Sequence, residues 1–179
     1  VFLTHAHVDH SGMLPKLCKD GFKGSIFATE ATCNLCSIML RDCAHIQESE
    51  SEWKNRKSQR AGGVRVEPVY DMNDANTAIS LLRRCRYSEI ITAGDGVEIR
   101  FTDVGHLLGS AAIEIWMEEG DMSKKIVFSG DVGNTDHPIL NDPKPVHEAD
   151  YLVIESTYGN RLHEKSRSDL PKDLAEIIQ

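Results

Sequence analysis

Residues 2–12 read FLTHAHVDHSG, and positions 5–10 within this stretch hold three histidines and one aspartate. His5 and His7 stand two apart, so on an extended segment both project to the same side. Asp9 and His10 follow where the chain turns into a helix, and such a turn folds the second pair back beside the first. Four nitrogen and oxygen ligands from one loop suit a borderline cation such as zinc. Three or fewer protein ligands per ion would leave a position open for water. A single histidine is usually an ordinary core or surface residue, but an H-x-H-x-D-H run is far rarer by chance.

Two later residues extend this set. His106 sits in DVGHLLGS, just past an apolar strand, with Gly105 and Gly109 permitting close backbone approach. Asp131 sits in VFSGDVGN, again just past a strand and flanked by glycines. Ligands on loops at strand ends, anchored by a rigid sheet, make a preorganised metal site, and a carboxylate with two oxygens can bridge two ions. Asp103, three positions before His106, is a candidate to hold that imidazole's second nitrogen.

Around these residues the chain alternates strands and helices. Phe2–Thr4 read as a strand end. SGMLPKLCKDG reads as a short helix stopped by Gly21, with Pro15 tolerated in its first turn. SIFAT is a short strand, and Thr29 is a suitable N-cap for the long helix that follows. That helix runs into the charged stretch ESESEWKNRKSQRAGG, ended by two glycines. It reads as a solvated face, or alternatively as a lip carrying Lys54, Arg56, Lys57 and Arg60 toward a phosphate chain. DMNDANTAISLLRRCRY opens as a helix. EIITA, GVEIRFTDV, SAAIEIWME and KIVFSGD read as strands separated by turns. GVEIRFTDV alternates and should be half exposed, whereas the unbroken apolar run of YLVIES predicts burial on both faces. SDLPKDLAEIIQ opens a last helix.

With 179 residues, 40% apolar and 27% charged, the chain can build an ordinary globular core. Its net charge of −8 argues against a protein that coats nucleic acid through basic clusters, but not against local binding through a metal and a few cations. No apolar run of about 18 residues occurs, so no membrane span is expected, and a signal peptide is not expected either. Five cysteines point to a reducing, cytoplasmic compartment rather than a disulfide framework. Cys33 and Cys36 form one C-x-x-C pair with no second pair. They share helical spacing with Leu40 and Cys43, which favours buried thiols over a metal or redox site.

Taken in order, THAHVDHSG, GHLLGSA and SGDVGN resemble the motif set of the metallo-β-lactamase fold. VIESTYGNR after them resembles the first signature of its β-CASP branch, nucleic-acid-processing nucleases that include RNase J and the pre-mRNA 3′-end processing endonuclease. DCAHIQESE and EPVYDMNDA are similar to the same branch, so the likeness covers essentially the whole chain.

The resemblance implies an α/β fold, the four-layer αββα metallo-β-lactamase sandwich. The two N-terminal strands and the C-terminal part are expected to lie outside this chain. Residues 1–158 would be a partial metallo-β-lactamase domain and 159–179 the start of a β-CASP domain. It further implies two zinc ions: His5, His7 and His106 on one, Asp9 and His10 on the other, and Asp131 bridging. Glu155 matches an acidic residue that orients a general-acid histidine, so the implied catalytic set is Asp9, Asp131 and Glu155. Without the family context Glu155 reads as a strand-end carboxylate capping a turn. Ser156, Thr157 and Tyr158 read as turn formers.

The implied activity is zinc-dependent phosphodiester hydrolysis of single-stranded RNA, internal or from the 5′ end. Two cations about 3.5–4 Å apart would activate water and neutralise the phosphate. The family's last zinc-ligand histidine and its general acid are expected beyond Gln179. His45, His137, His147 and His163 carry no matching motif and read as surface residues. Partial or no zinc occupancy and little catalysis are therefore expected from these residues alone. Unpaired sheet edges would favour association, so a homo-oligomer is among the expected partners, and a membrane is not. Two alternatives stay open: a small-molecule metallohydrolase acting on a thioester or lactone, and a metal-free interaction module.

Overall fold

The computed structural model describes residues 1–59, 63–160 and 170–178. Two short helices, α1 (Val8–Ser11) and α2 (Leu14–Lys19), lead to strand β1 (Ile26–Thr29). The long helix α3 (Glu30–Gln59), α4 (Met72–Ser80) and β2 (Leu82–Cys85) follow. Strands β3 (Ile90–Gly94), β4 (Val97–Asp103), β5 (Ala111–Glu119), β6 (Met122–Phe128) and β7 (Tyr151–Val153) come next, and α5 (Leu170–Ile178) is last.

The layers can be read from β1. Successive side chains of a strand point to opposite faces. Ile26 and Ala28 are buried against Cys33, Cys36, Leu40 and Ala44 of α3 and Ala75 and Ala78 of α4. Phe27, between them, packs into a second cluster with Cys85, Ile99, Phe101, Ala111 and Ile113. Burial of each such Ile, Leu or Phe side chain stabilises the fold by about 1.5–3 kcal/mol. The sheet β1–β2 thus has helices on one face and the sheet β3-β4-β5-β6-β7 on the other. The fold is α/β, and helix, sheet, sheet are three successive layers of the αββα sandwich. The fourth, outer helical layer is not seen among the described residues.

β1 and β2 are parallel, and Phe2 bridges Phe27 in parallel to bring the N-terminal segment alongside. In the larger sheet β3 to β6 pair antiparallel, while β6 and β7 are parallel. This topology sets the C-terminal ends of β4, β6 and β7 along one edge. There the Ala111 N–H at the start of β5 donates to the Thr4 carbonyl at 2.9 Å.

DMNDANTAISLLRRCRY opens as a helix, as expected; the helix ends at Ser80, and Leu82–Cys85 is a strand. The helix start is strong, because Asp71 accepts the Asn73 and Asp74 amides while Asp74 accepts that of Asp71. Past Ser80, pairing with β1 outweighs the helical propensity of Leu and Arg. β7 is not buried on both faces, since Tyr151, Leu152 and Val153 are all more than half exposed. It is an edge strand, paired among the described residues with β6 alone. β4 alternates only in its first half, and Phe101, Thr102 and Asp103 are all buried.

On the outer face of the larger sheet, Glu114 is fully buried beneath Arg100 and Lys125. Arg100 grips its carboxylate with two 2.8 Å hydrogen bonds, Lys125 reaches it at 2.7 Å and the Thr102 hydroxyl donates at 2.6 Å. Both cations also lie over the Trp116 ring, at 5.1 and 5.0 Å.

Elsewhere the thiols of Cys33 and Cys36 are buried, as the helical spacing predicts. Burial pushes the Cys36 and Cys85 thiols up to about 11, which leaves them unreactive. In the charged stretch of α3, Lys54 pairs with Glu50, Arg56 with Glu52, and Lys57 lies over Trp53. This internal pairing fits a solvated face, while Arg60 and His163 lie outside the described residues.

Candidate metal centre

His5 is fully buried at the foot of the site, and Asp9 is exposed at its rim. Between them the chain tightens into α1, where the Ser11 N–H donates to the His7 carbonyl at 2.9 Å. The Ser11 hydroxyl also reaches the His7 and Ala6 carbonyls, at 2.9 and 3.1 Å. This turn brings His10 back over His5, with ring centroids 4.1 Å apart.

His5, His7, His106 and Asp131 each offer one ligand atom, all within 4.8 Å of one another. His5 Nε2 lies 3.1 Å from His7 Nδ1 and 3.6 Å from Asp131 Oδ2. His106 Nε2 lies 3.3 Å from His7 Nδ1 and 3.5 Å from Asp131 Oδ2. Four ligands about 2.0–2.2 Å from a tetrahedral ion are separated from each other by about 3.3–3.6 Å, so the donor set has the size of one such site. His5 is also in the right protonation state for a ligand. Burial, then the neighbouring His10, lowers its pKa to about 4, so the ring is neutral at physiological pH.

A second set adjoins the first. His10 Nε2 lies 3.7 Å from Asp9 Oδ2 and 3.5 Å from Asp131 Oδ1. Asp131 therefore presents Oδ2 to His5 and His106 and Oδ1 to His10, an arrangement able to bridge two ions.

Of the supporting groups, the sequence reading passed over Thr4 and gave Asp103 a different partner. The Thr4 hydroxyl lies 3.1 Å from His5 Nδ1 and leaves Nε2 facing the site. Asp103 does not hold the His106 ring, contrary to expectation. Its carboxylate accepts the Gly105 N–H at 3.0 Å and the Asn141 side-chain amide at 2.9 Å, bracing the backbone before His106. Glu155 Oε1 accepts the Val132 N–H at 2.6 Å, and the Glu155 N–H donates to the Ser129 hydroxyl at 3.1 Å. Ser156–Gly159 form a turn closed by Gly159 N–H to the Ser156 carbonyl at 2.9 Å.

Beside the donor set opens a cleft of about 290 Å³ lined by His106, Asp131, Asn134, His137, Glu155 and Tyr158. His45, His137 and His147 are all exposed, as expected, but His137 faces this cleft. It stands six residues after Asp131, on the loop that carries that residue, and no motif marks it.

A group able to hold a metal ion at the strand ends of two stacked sheets is what the resemblance to the metallo-β-lactamase fold implies. Sequence relatives narrow this. The chain is 34% identical over 179 residues to Ribonuclease TTHA0252 of Thermus thermophilus, matching all of this chain and 36% of that protein. It is 29% identical over 180 residues to an RNase J-like protein of Methanocaldococcus jannaschii, matching 99% of this chain and 36% of that one. It is 27% identical over 180 residues to Endoribonuclease YSH1 of Eremothecium gossypii, matching 99% of this chain and 22% of that one. The chain thus spans about a third or less of the length of these curated relatives. No protein-family model matches the chain. Among solved structures, a B3 metallo-β-lactamase with an active-site glutamic acid aligns at TM-score 0.43 and 19% identity, over 76% of this chain and 46% of that one. The motifs and the donor set fit the β-CASP branch of the metallo-β-lactamase fold, and the relatives to which the chain is similar are ribonucleases by name.

Proposed function

We propose that the protein to which this chain belongs is a zinc-dependent hydrolase of RNA phosphodiesters, acting on single-stranded RNA in the cytoplasm. The observation that carries this reading is the division of the Asp131 oxygens, one toward His5 and His106 and the other toward His10. The ribonuclease names of the relatives supply the substrate class.

In this reading His5, His7 and His106 would hold one ion, since His5 Nε2, His7 Nδ1 and His106 Nε2 face one another. Asp9 and His10 hold the second ion, and Asp131 takes part in both. Bound zinc supplies Lewis acidity and a nucleophile at neutral pH. The Asp9 carboxylate, exposed at the rim, would be able to accept a hydrogen bond from the attacking water and aim it. Thr4 keeps the His5 ring in the tautomer that binds. Glu155 holds the Val132 amide, and through it the carboxylate of Asp131, at a fixed height above the cleft. The RNA backbone then lies in the cleft beside His137 and Tyr158. Residues 1–158 form the metal-binding domain in this scheme, and 159–179 lead into the β-CASP domain.

The test is a cleavage assay of the zinc-loaded protein on 5′-phosphorylated and internally labelled RNA, with Asp131→Ala in parallel. Cleavage lost in the variant together with metal supports the reading. Turnover of a thioester or lactone with intact RNA would replace it with the small-molecule alternative.

A further inference from the structure

We propose that Thr29, Thr32 and Tyr87 are positioning residues for His106, forming a hydroxyl clamp on the two backbone carbonyls that end its loop. The inference rests on the reading of His106 as a metal ligand.

The loop from β4 to β5 is first closed on itself. The Ser110 hydroxyl oxygen accepts the His106 N–H at 3.0 Å and the Leu107 N–H at 3.2 Å. The Ser110 N–H donates back to the Leu107 carbonyl at 3.0 Å. His106 therefore moves with Ser110, and whatever fixes Gly109–Ser110 fixes the imidazole.

Three hydroxyls from three parts of the chain do this. The Gly109 carbonyl accepts from Thr29, the last residue of β1, at 2.6 Å and from Thr32, in the first turn of α3, at 2.9 Å. The Ser110 carbonyl accepts from Tyr87, between β2 and β3, at 2.9 Å. Thr29 and Thr32 are 2% and 0% exposed, so each hydroxyl is committed to a protein partner rather than to water. Gly109 is shaped for this approach. Its φ of +90° lies in the left-handed region, and a Cβ there would stand 2.6 Å from the Thr32 amide nitrogen.

The chemistry explains the need. A carbonyl accepting two hydroxyls is fixed in direction as well as place. His106 Nε2 must meet His7 Nδ1 and Asp131 Oδ2 at 3.3 and 3.5 Å, with little latitude for a tetrahedral ion. The His5 ring is held on its Nδ1 by the Thr4 hydroxyl, and His106 is held through its backbone N–H by the Ser110 hydroxyl.

Cobalt(II) titration followed by visible absorption tests the clamp on the wild type, Thr32→Val, Thr32→Ser, Tyr87→Phe and Asp131→Ala. Thr32→Val keeps the side-chain shape and leaves Thr29 on the Gly109 carbonyl, so the fold is retained. Cobalt affinity falls about tenfold in Thr32→Val and Tyr87→Phe and returns in Thr32→Ser, as expected for residues that orient a ligand. Amide hydrogen exchange in metal-free protein accelerates at residues 105–110 in Thr32→Val and stays at the wild-type rate in the middle of β4 and β5. Cobalt binding abolished by Asp131→Ala but unchanged in Thr32→Val overturns the clamp alone. An affinity loss that Leu40→Ala, a purely packing variant, reproduces at matched stability also overturns it. No cobalt binding by the wild type overturns the metal-centre reading and the clamp with it.

Discussion

Glu155 Oε1 accepts the backbone N–H of Val132 at 2.6 Å and so fastens the segment after β7 to the loop that carries Asp131. A glutamine at 155 retains an oxygen that can accept this hydrogen bond, whereas an alanine removes it. Metal affinity should therefore stay within about twofold in Glu155→Gln and fall about tenfold in Glu155→Ala. If the carboxylate charge also orients a general acid, RNA cleavage falls by about a hundredfold in both. Calorimetric zinc titration and cleavage rates separate these two roles.

Gly133 lies where the Asp131 loop passes closest to the His106 loop. Its N–H donates to the Val104 carbonyl at 2.8 Å, and an added Cβ would overlap the Gly105 carbonyl. Backbone on both sides leaves no flexible side chain to give way. Gly133→Ala should push the Asp131 and His106 loops apart, destabilise the protein by about 1–3 kcal/mol and lower metal content. Elemental analysis of protein purified from zinc-supplemented medium checks the second effect, and urea unfolding the first.

The Glu114 network makes a prediction in pH. Burial alone would push this carboxyl up, but hydrogen bonds from Arg100, Lys125 and Thr102 outweigh it and hold the pKa at about 2, below the ordinary 4.5. A folded-state pKa below the unfolded one adds stability at pH values above the unfolded pKa, and this is lost as pH falls from 4.5 toward 2. Glu114→Gln leaves two cations without a counter-charge and should cost about 3 kcal/mol at pH 7. The difference from wild type shrinks on acidification through that window. Unfolding followed by the fluorescence of Trp116, which Arg100 and Lys125 flank, reports it directly.

His137 faces the cleft without touching the metal donors in sequence or motif. If RNA binds as proposed, its imidazole would contact a phosphate next to the scissile one. Loss of one such hydrogen bond should raise KM for RNA about fivefold and leave zinc content and kcat near wild type. A fall in zinc content in His137→Ala would place the residue in the metal site instead.

Much of the candidate metal centre was legible because its residues stand in short, ordered motifs at strand ends, and the family resemblance implied how they would divide between two ions. His5 and His7 two apart, and His10 one turn on, needed only local geometry. What could not be read were groups joined by the fold across long separations. Thr29 and Gly109, or Glu155 and Val132, carry no mutual sequence signal. Asp103 was misassigned because proximity in sequence to His106 suggested contact, whereas its carboxylate turns toward Gly105 and Asn141. β2 was hidden in a helical pattern because Leu82 and Arg83 favour a helix until β1 offers a partner. The apolar run of β7 gave no sign that the strand lies at an edge.

Strand β1 turns one hydrophobic rhythm into a question of parity. Odd and even positions serve different masters: Ile26 and Ala28 belong to the helices, Phe27 to the opposing sheet, and Thr29 to the His106 loop. Inserting or deleting one residue ahead of Thr29 would exchange both sets at once and turn its hydroxyl away from Gly109. A two-residue change would preserve the alternation and shift only the register. Length variation entering this strand by evolution or design should therefore be tolerated in even steps only, a constraint imposed jointly by the core and by the loop of the candidate ligand His106, 77 positions beyond Thr29.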